Sequence, residues 1–260
     1  MLENIECFLL DMDGTFYLGD NLLPGALEFI DLLKGRKKDF LFLTNNSSKR
    51  ADQYVQKLAK YGLAVGPEKI LTSGEATVSF LNKEFPSKKV FLVGTEALTN
   101  EFSDGGINLV SSEPDVVVLG FDITLTYKKL KDLCNFIRDG IPYLATHPDI
   151  NCPTENGFIP DIGSFMALIE SSTGRSPDII VGKPYSHMVD AILQKTGFSK
   201  NQIAMVGDRL YTDIAMGKSG ITTVLVLSGE TRLSDLENSA IKPDVIADDL
   251  MGVTRILRDY

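Results

Sequence analysis

The stretch Cys7-Phe8-Leu9-Leu10-Asp11-Met12-Asp13-Gly14-Thr15 carries the most information in this chain. Four apolar residues in succession suit a strand buried on both faces, as in a parallel sheet. Two carboxylates, two positions apart, then follow at its end. Like charges at 4 Å repel by roughly 1 kcal/mol in water, and by more at low dielectric. A divalent cation is the usual compensation where the ligands are oxygens only. Gly14 lets the chain bend sharply and brings its N–H within reach of an anion. The stretch therefore points to a metal-assisted site for a phosphate-like ligand. A helix-loop-helix calcium site is the other reading of such acids, but it needs a glycine where Phe16 stands and a helix before the loop.

Bulk properties narrow the class. The chain has 260 residues, 43% hydrophobic and 23% charged, which suits one large domain or two modest ones. No apolar run approaches the roughly 20 residues that span a bilayer, so no membrane partner is expected. Met1-Leu2-Glu3-Asn4 lacks the basic start of a secretion signal. Cys7, Cys134 and Cys152 are widely spaced and form neither a zinc pattern nor a disulfide framework, so a reducing, cytoplasmic setting is expected. A net charge of −9 and a pI near 4.8 argue against a nucleic-acid polymer as partner. The basic clusters at residues 34–38 and 128–131 read as solvated helix ends or faces.

Apolar runs alternate with amphipathic segments, the pattern of an α/β sheet with crossover helices. Cys7–Leu10, Phe40–Leu43, Ile203–Val206 and Thr223–Leu227 read as buried strands, with Ile179–Val181 a shorter candidate. Val90–Val93, Val116–Leu119 and Tyr143–Ala145 form a middle set. Helices are expected from Pro24 and from about Lys49 to Tyr61, and Leu130, Leu133, Cys134 and Ile137 share one helical face. Loops are expected at Asp104-Gly105-Gly106 and Asn151–Gly163.

Four pieces stand after apolar strands: Asp11 and Asp13; Thr44-Asn45-Asn46 after Phe42-Leu43; Gly182-Lys183-Pro184; and Gly207-Asp208 with Asp213. The carboxyl ends of parallel strands are where open α/β sheets bind ligands. Singly each piece has a plain alternative: Thr44 or Asp208 as a helix cap, Lys183 as a surface lysine. Together, and in this order, they form the set Asp-x-Asp, strand-end Thr, Lys and Gly-Asp…Asp. In that set the chain resembles the haloacid dehalogenase-like superfamily of phosphohydrolases. Around Asp11–Tyr17, Leu43–Ser48 and Val206–Asp213 it is most similar to subfamily IIA, the nitrophenylphosphatase or NagD-like branch.

Spacing bears on the domains. Asp11 and Thr44 are 33 positions apart, enough for a flap, a helix and a strand. Thr44 and Lys183 are 139 apart, which leaves about 100 residues beyond a plain crossover of roughly 30. The expectation is a doubly wound, mostly parallel, Rossmann-like core at 1–72 and 179–260, with an inserted α/β cap at 73–178.

The resemblance implies a Mg²⁺-dependent phosphatase of small phosphorylated metabolites: a sugar phosphate, glycerol phosphate, nucleotide monophosphate or p-nitrophenyl phosphate. It implies that Asp11 becomes an aspartyl-phosphate and that Asp13 is the acid and then the base. Mg²⁺ would be held by Asp11, the Asp13 carbonyl and Asp208, with Asp213 orienting a water or Lys183. Thr44 and Lys183 would act in catalysis and bind phosphate, together with Gly14, Asn45 and Asn46. The cap residues Asp122, His147 and Asp149 are candidates for substrate contact, although branch members carry Asn where His147 stands. A homodimer through the cap is left open. The competing readings are a phosphosugar mutase, whose helical cap finds no room between the first two motifs, and a non-catalytic phospho-acceptor module. A haloalkanoic acid dehalogenase lacks the second aspartate.

Overall fold

The continuous apolar runs form buried parallel strands in the computed structural model, which describes residues 2–154 and 157–259. By contact the chain divides into two units. The first comprises Met1–Thr44, Val55–Leu71 and Ile192–Tyr260; the second comprises Asn45–Tyr54 and Thr72–Ala191. The fold is α/β: a doubly wound, Rossmann-like parallel sheet, with a second parallel sheet in an inserted α/β cap.

The first unit's sheet runs in the order Val245–Ala247, Thr222–Val226, Ile203–Gly207, Cys7–Leu10, Asp39–Thr44, Ile70–Thr72. Cys7–Leu10 lies mid-sheet, parallel to both neighbours; Leu10 pairs with Val206 on one side and Phe42 on the other. All four of its residues are buried, which is why the run carries no polar alternation. Strand order reverses beside it. The chain leaves Cys7–Leu10 toward Asp39–Thr44, and Ile203–Gly207 later fills the opposite flank, which makes a topological switch point. Helix Ala26–Gly35 buries Ala26, Phe29, Ile30 and Leu33; helix Leu250–Arg258 buries Leu250, Val253, Thr254 and Leu257. Both sets follow the i, i+3, i+4, i+7 stripe, and the two helices pack together.

The second unit's sheet runs Ile179–Ile180, Tyr143–Ala145, Val116–Leu119, Lys89–Val93, Asn108–Leu109. Helix Tyr127–Arg138 lays Leu133, Cys134 and Ile137 against Val117, Leu119 and Tyr143, with Leu130 partly buried beside them. Threonine caps begin three helices: Thr72, Thr95 and Thr126 accept from the main-chain N–H of Glu75, Leu98 and Lys129.

Two expectations change. Ile179–Ile180 pairs with Tyr143–Ala145 in the second sheet, so Lys183 follows a strand of that sheet. The loop expected at Asn151–Gly163 contains a hairpin, Asn151–Thr154 against Gly157–Pro160, and the start of helix Ile162–Thr173. Residues 155 and 156 of that stretch lie outside the described residues.

Candidate active site

Three adjacent strands of the first unit end in residues that the motifs single out. The Asp11 N–H donates to the Val206 carbonyl at 2.9 Å, so the ladder continues into the acidic residue. Thr44 is the last residue of its strand, and Asp208 directly follows Gly207. Ile203–Gly207, Cys7–Leu10 and Asp39–Thr44 are parallel neighbours, so Asp208, Asp11 and Thr44 share one sheet edge, and all three are buried.

A tight turn follows Asp11. The N–H groups of Phe16 and Tyr17 donate to the Met12 carbonyl at 2.9 and 3.1 Å, and that of Gly14 donates to the Tyr17 carbonyl at 2.8 Å. Buried Met12 and Phe16 anchor the turn, with the Phe16 ring edge-on to Phe42 at 4.9 Å. Asp13 is half-buried and bridges to Tyr17, ahead of the small hairpin Tyr17–Leu18 with Asn21–Leu22. Gly14 has φ +92°, and a Cβ there would lie 2.5 Å from Asp208 Oδ2. Both the backbone conformation and the space exclude a side chain.

Carboxylate oxygens of Asp11, Asp208 and Asp213 lie within 4.8 Å of one another. Asp208 Oδ2 accepts from the Glu230 N–H at 2.7 Å, while its Oδ1 is buried with no hydrogen-bond partner among the described residues. Asp213 Oδ2 accepts from the Arg209 N–H at 3.1 Å. Burial pushes the Asp208 carboxyl up to about 7, and the nearby Asp213 charge adds to the rise. An oxygen-only donor set, an orphaned buried oxygen and crowded negative charge together fit a hard divalent cation. The structure thus places Asp213 in the acidic cluster itself.

The turn after Thr222–Val226 also reaches this edge. Ser228 Oγ donates to the Gly14 carbonyl at 2.8 Å, and Arg209 Nε pairs with Glu230 Oε2 at 2.9 Å. Nothing in the motif set flagged this turn, although the strand-end rule applied to Thr223–Leu227 leads straight to it.

In the second unit, Asn45 is a hub. Its Oδ1 accepts from the Lys183 N–H at 2.8 Å; its Nδ2 donates to Asp149 Oδ1 at 2.9 Å and to the Lys183 carbonyl at 3.1 Å. Ser73 Oγ donates to the Asn45 carbonyl at 2.5 Å. The side chain of Asn45 thus holds the Lys183 main chain, a role distinct from the expected phosphate contact. Leaving such buried groups unpaired costs about 1–3 kcal/mol. Asn45→Ala is expected to lower the free energy of urea unfolding by about that much, and an unchanged midpoint would show that these bonds carry no stability. Asn46 Oδ1 accepts from the Ser48 N–H and Oγ at 2.9 and 2.7 Å, forming a local turn.

The remaining cap candidates are engaged within their own unit. Buried Asp122 pairs with Lys129 Nζ at 2.6 Å and accepts from the Thr124 N–H and Oγ1. His147 is fully buried, with Nε2 2.9 Å from Asp161 Oδ1 and Nδ1 3.0 Å from Thr146 Oγ1. An Nε2–H tautomer satisfies both contacts. His147, Asp149 and Asp161 also converge within 4.8 Å, but their side chains already bond to one another, to Thr146 and to Asn45. These bonds fix the Asp122 and His147 side chains in place within their own unit. The His187 ring lies tilted by 58° against that of Phe80, with ring centroids 4.5 Å apart. The three cysteines form no disulfide among the described residues, and burial pushes the Cys7 thiol up to about 12.

Comparison with known proteins agrees with this layout. The family described as haloacid dehalogenase-like hydrolase matches residues 8–108, and a second, HAD-hydrolase-like, matches residues 180–253. The chain is 34% identical over 251 residues to an acid sugar phosphatase of Staphylococcus epidermidis, covering 96% of each. It is similar to the crystal structure of 4-nitrophenylphosphatase from Thermotoga maritima, with TM-score 0.94, 51% identity and 98% of each chain covered. A p-nitrophenyl phosphatase structure from Archaeoglobus fulgidus gives TM-score 0.90 at 32% identity, covering 97% of this chain and 99% of that one. The chain is an enzyme of the haloacid dehalogenase-like hydrolase family, in its nitrophenylphosphatase and NagD-like phosphatase branch.

Proposed function

We propose that this phosphoric monoester hydrolase cleaves small phosphorylated metabolites, with Mg²⁺ as cofactor and an aspartyl-phosphate on Asp11 as intermediate. The observation that carries the reading is the meeting of the Asp11, Asp208 and Asp213 carboxylates within 4.8 Å beside the Asp11 turn. Sugar phosphates, named in the acid sugar phosphatase relative, are the first class to try. Small aryl phosphates, named in the nitrophenylphosphatase structures, serve as the convenient probe.

Asp11 and Asp208 would hold the cation, with the Asp13 main-chain carbonyl and with Asp213 orienting its surroundings. When bound, the cation neutralises phosphoryl charge and lets a carboxylate approach an anion. The Asp11 carboxylate oxygen attacks phosphorus as the ester P–O bond breaks. Asp13 gives its proton to the departing oxygen. It then takes a proton from water, whose oxygen attacks phosphorus, breaks the P–O bond to Asp11 and releases inorganic phosphate. Splitting one displacement into two gives a carboxylate nucleophile its advantage. Thr44, Asn45, Asn46 and Lys183 are assigned to the phosphoryl oxygens, through hydroxyl, N–H and ammonium donors, while the Gly14 N–H is held by the Tyr17 carbonyl. The loops bearing Asp122 and Thr146–Asp149 are assigned to leaving-group selection, with Asp122 and His147 bracing them.

The Asp13→Asn variant tests this. A p-nitrophenolate leaves readily without a proton, whereas a sugar alkoxide does not. With p-nitrophenyl phosphate the variant is expected to show a burst of about one nitrophenol per enzyme, followed by turnover slowed roughly 10²–10⁴-fold. With a sugar phosphate it shows the slowing and no burst. Equal, burst-free slowing with both substrates would overturn the two-step assignment.

A further inference from the structure

We propose that the turn Ser228-Gly229-Glu230 is a clamp that fixes the Asp208 carboxylate, holding one oxygen in protein and presenting the other to the cation. The inference rests on reading Asp208 as a metal ligand, and it assigns three positioning residues outside the motif set.

Four contacts support it, all within the first unit. The Glu230 N–H donates to Asp208 Oδ2 at 2.7 Å, and the Thr231 N–H donates to the Asp208 carbonyl at 3.2 Å. Side chain and main chain of the same acid are therefore held by one turn. Arg209 pairs with the Glu230 carboxylate at 2.9 Å and latches the turn to the residue after Asp208. Ser228 Oγ bonds the Gly14 carbonyl at 2.8 Å, tying the turn to the one that follows Asp11.

The two tied turns meet Asp208 with bare α-carbons. A Cβ at Gly229 would lie 2.0 Å from Asp208 Oδ2, and one at Gly14 would lie 2.5 Å from the same oxygen. Oδ2 is thus boxed in by two glycines and one N–H, while buried Oδ1 has no partner among the described residues. The terminal torsion of an aspartate is broad, so an unheld carboxylate would swing through orientations that turn both oxygens away from a ligand. A carboxylate held in one orientation has less freedom to lose on binding. Groups that orient metal ligands are typically worth 10–100-fold in affinity.

Gly229 gives a direct test, because its φ lies outside the left-handed region and the nearest atoms an alanine Cβ would meet are those of the Asp208 side chain. Mg²⁺ binding to the full chain is measured by isothermal titration calorimetry, alongside melting in EDTA and p-nitrophenyl phosphate turnover across a Mg²⁺ series. Gly229→Ala is expected to raise the Mg²⁺ Kd by about 10–100-fold. Ser228→Ala and Glu230→Ala, which remove one tether each, are expected to raise it roughly 3–10-fold. In those two variants the metal-free melting temperature stays at the wild-type value, and excess Mg²⁺ restores turnover. If Gly229→Ala fails to fold, the other two decide. A wild-type Kd in both of them overturns the clamp while leaving Asp208 as a ligand. A wild-type protein that binds no Mg²⁺ overturns the metal assignment and the clamp with it.

Discussion

Asp11→Asn is expected to lower kcat by roughly four orders of magnitude or more, since an amide oxygen at neutral pH is a poor nucleophile and the proposed mechanism routes every turnover through this atom. The substitution keeps the size of the side chain and so keeps the turn anchored by Met12 and Phe16. It also removes one of three carboxylates that meet within 4.8 Å. The metal-free variant should therefore melt at or above the wild-type temperature, because a charge that repels its neighbours has gone. Loss of turnover with retained or improved stability marks a residue kept for chemistry. A kcat within tenfold of wild type would remove Asp11 from the nucleophile's position.

Metal affinity is expected to fall steeply as pH drops below about 7. The Asp208 carboxyl is pushed up to about 7 by burial first and by the Asp213 charge second, so under mildly acidic conditions a proton occupies it. A cation must displace that proton, which costs about tenfold in apparent Kd per pH unit below the pKa. The stability consequence has the opposite sign. Between the ordinary carboxylate range and about 7, folded Asp208 holds a proton that the unfolded chain has lost. The contribution of this group is therefore fully present at low pH and is lost as pH rises through that window. In EDTA, wild-type stability should fall across that window relative to Asp208→Asn, and Mg²⁺ should restore it increasingly toward pH 8. Equal pH slopes for wild type and Asp208→Asn, with and without Mg²⁺, would contradict the assignment.

The parts of the molecule that could be read from sequence share a physical cause. Cys7–Leu10, Val116–Leu119 and Tyr143–Ala145 are buried on both faces, so their boundaries are written as unbroken apolar runs. Asp11, Thr44 and Asp208 followed because they sit one step beyond or at the end of such runs. The hairpin at Asn151–Thr154 and Gly157–Pro160 is exposed or half-exposed along its length, and no burial pattern marks it. Ile179–Ile180 was visible as a strand, but two apolar residues do not say which sheet they join. Glu230 escaped for another reason, and so did the side-chain role of Asn45. Asn45 acts by holding a main chain, and Glu230 reaches Asp208 through its own main-chain N–H. A donor that every residue except proline carries leaves no mark in the alphabet of side chains.

The strand pairing also orders events in time. Of Cys7–Leu10 and its two flanking partners, Ile203–Gly207 is made last, about two hundred residues after Cys7–Leu10. Parallel pairing across so long a separation is slow to form, since the ends of a very long loop must meet first. Asp11 is therefore made well before its acidic partners at 208 and 213. A growing chain thus holds Asp11 long before the two acids that meet it, and the three-carboxylate cluster is complete only once Asp213 has been added.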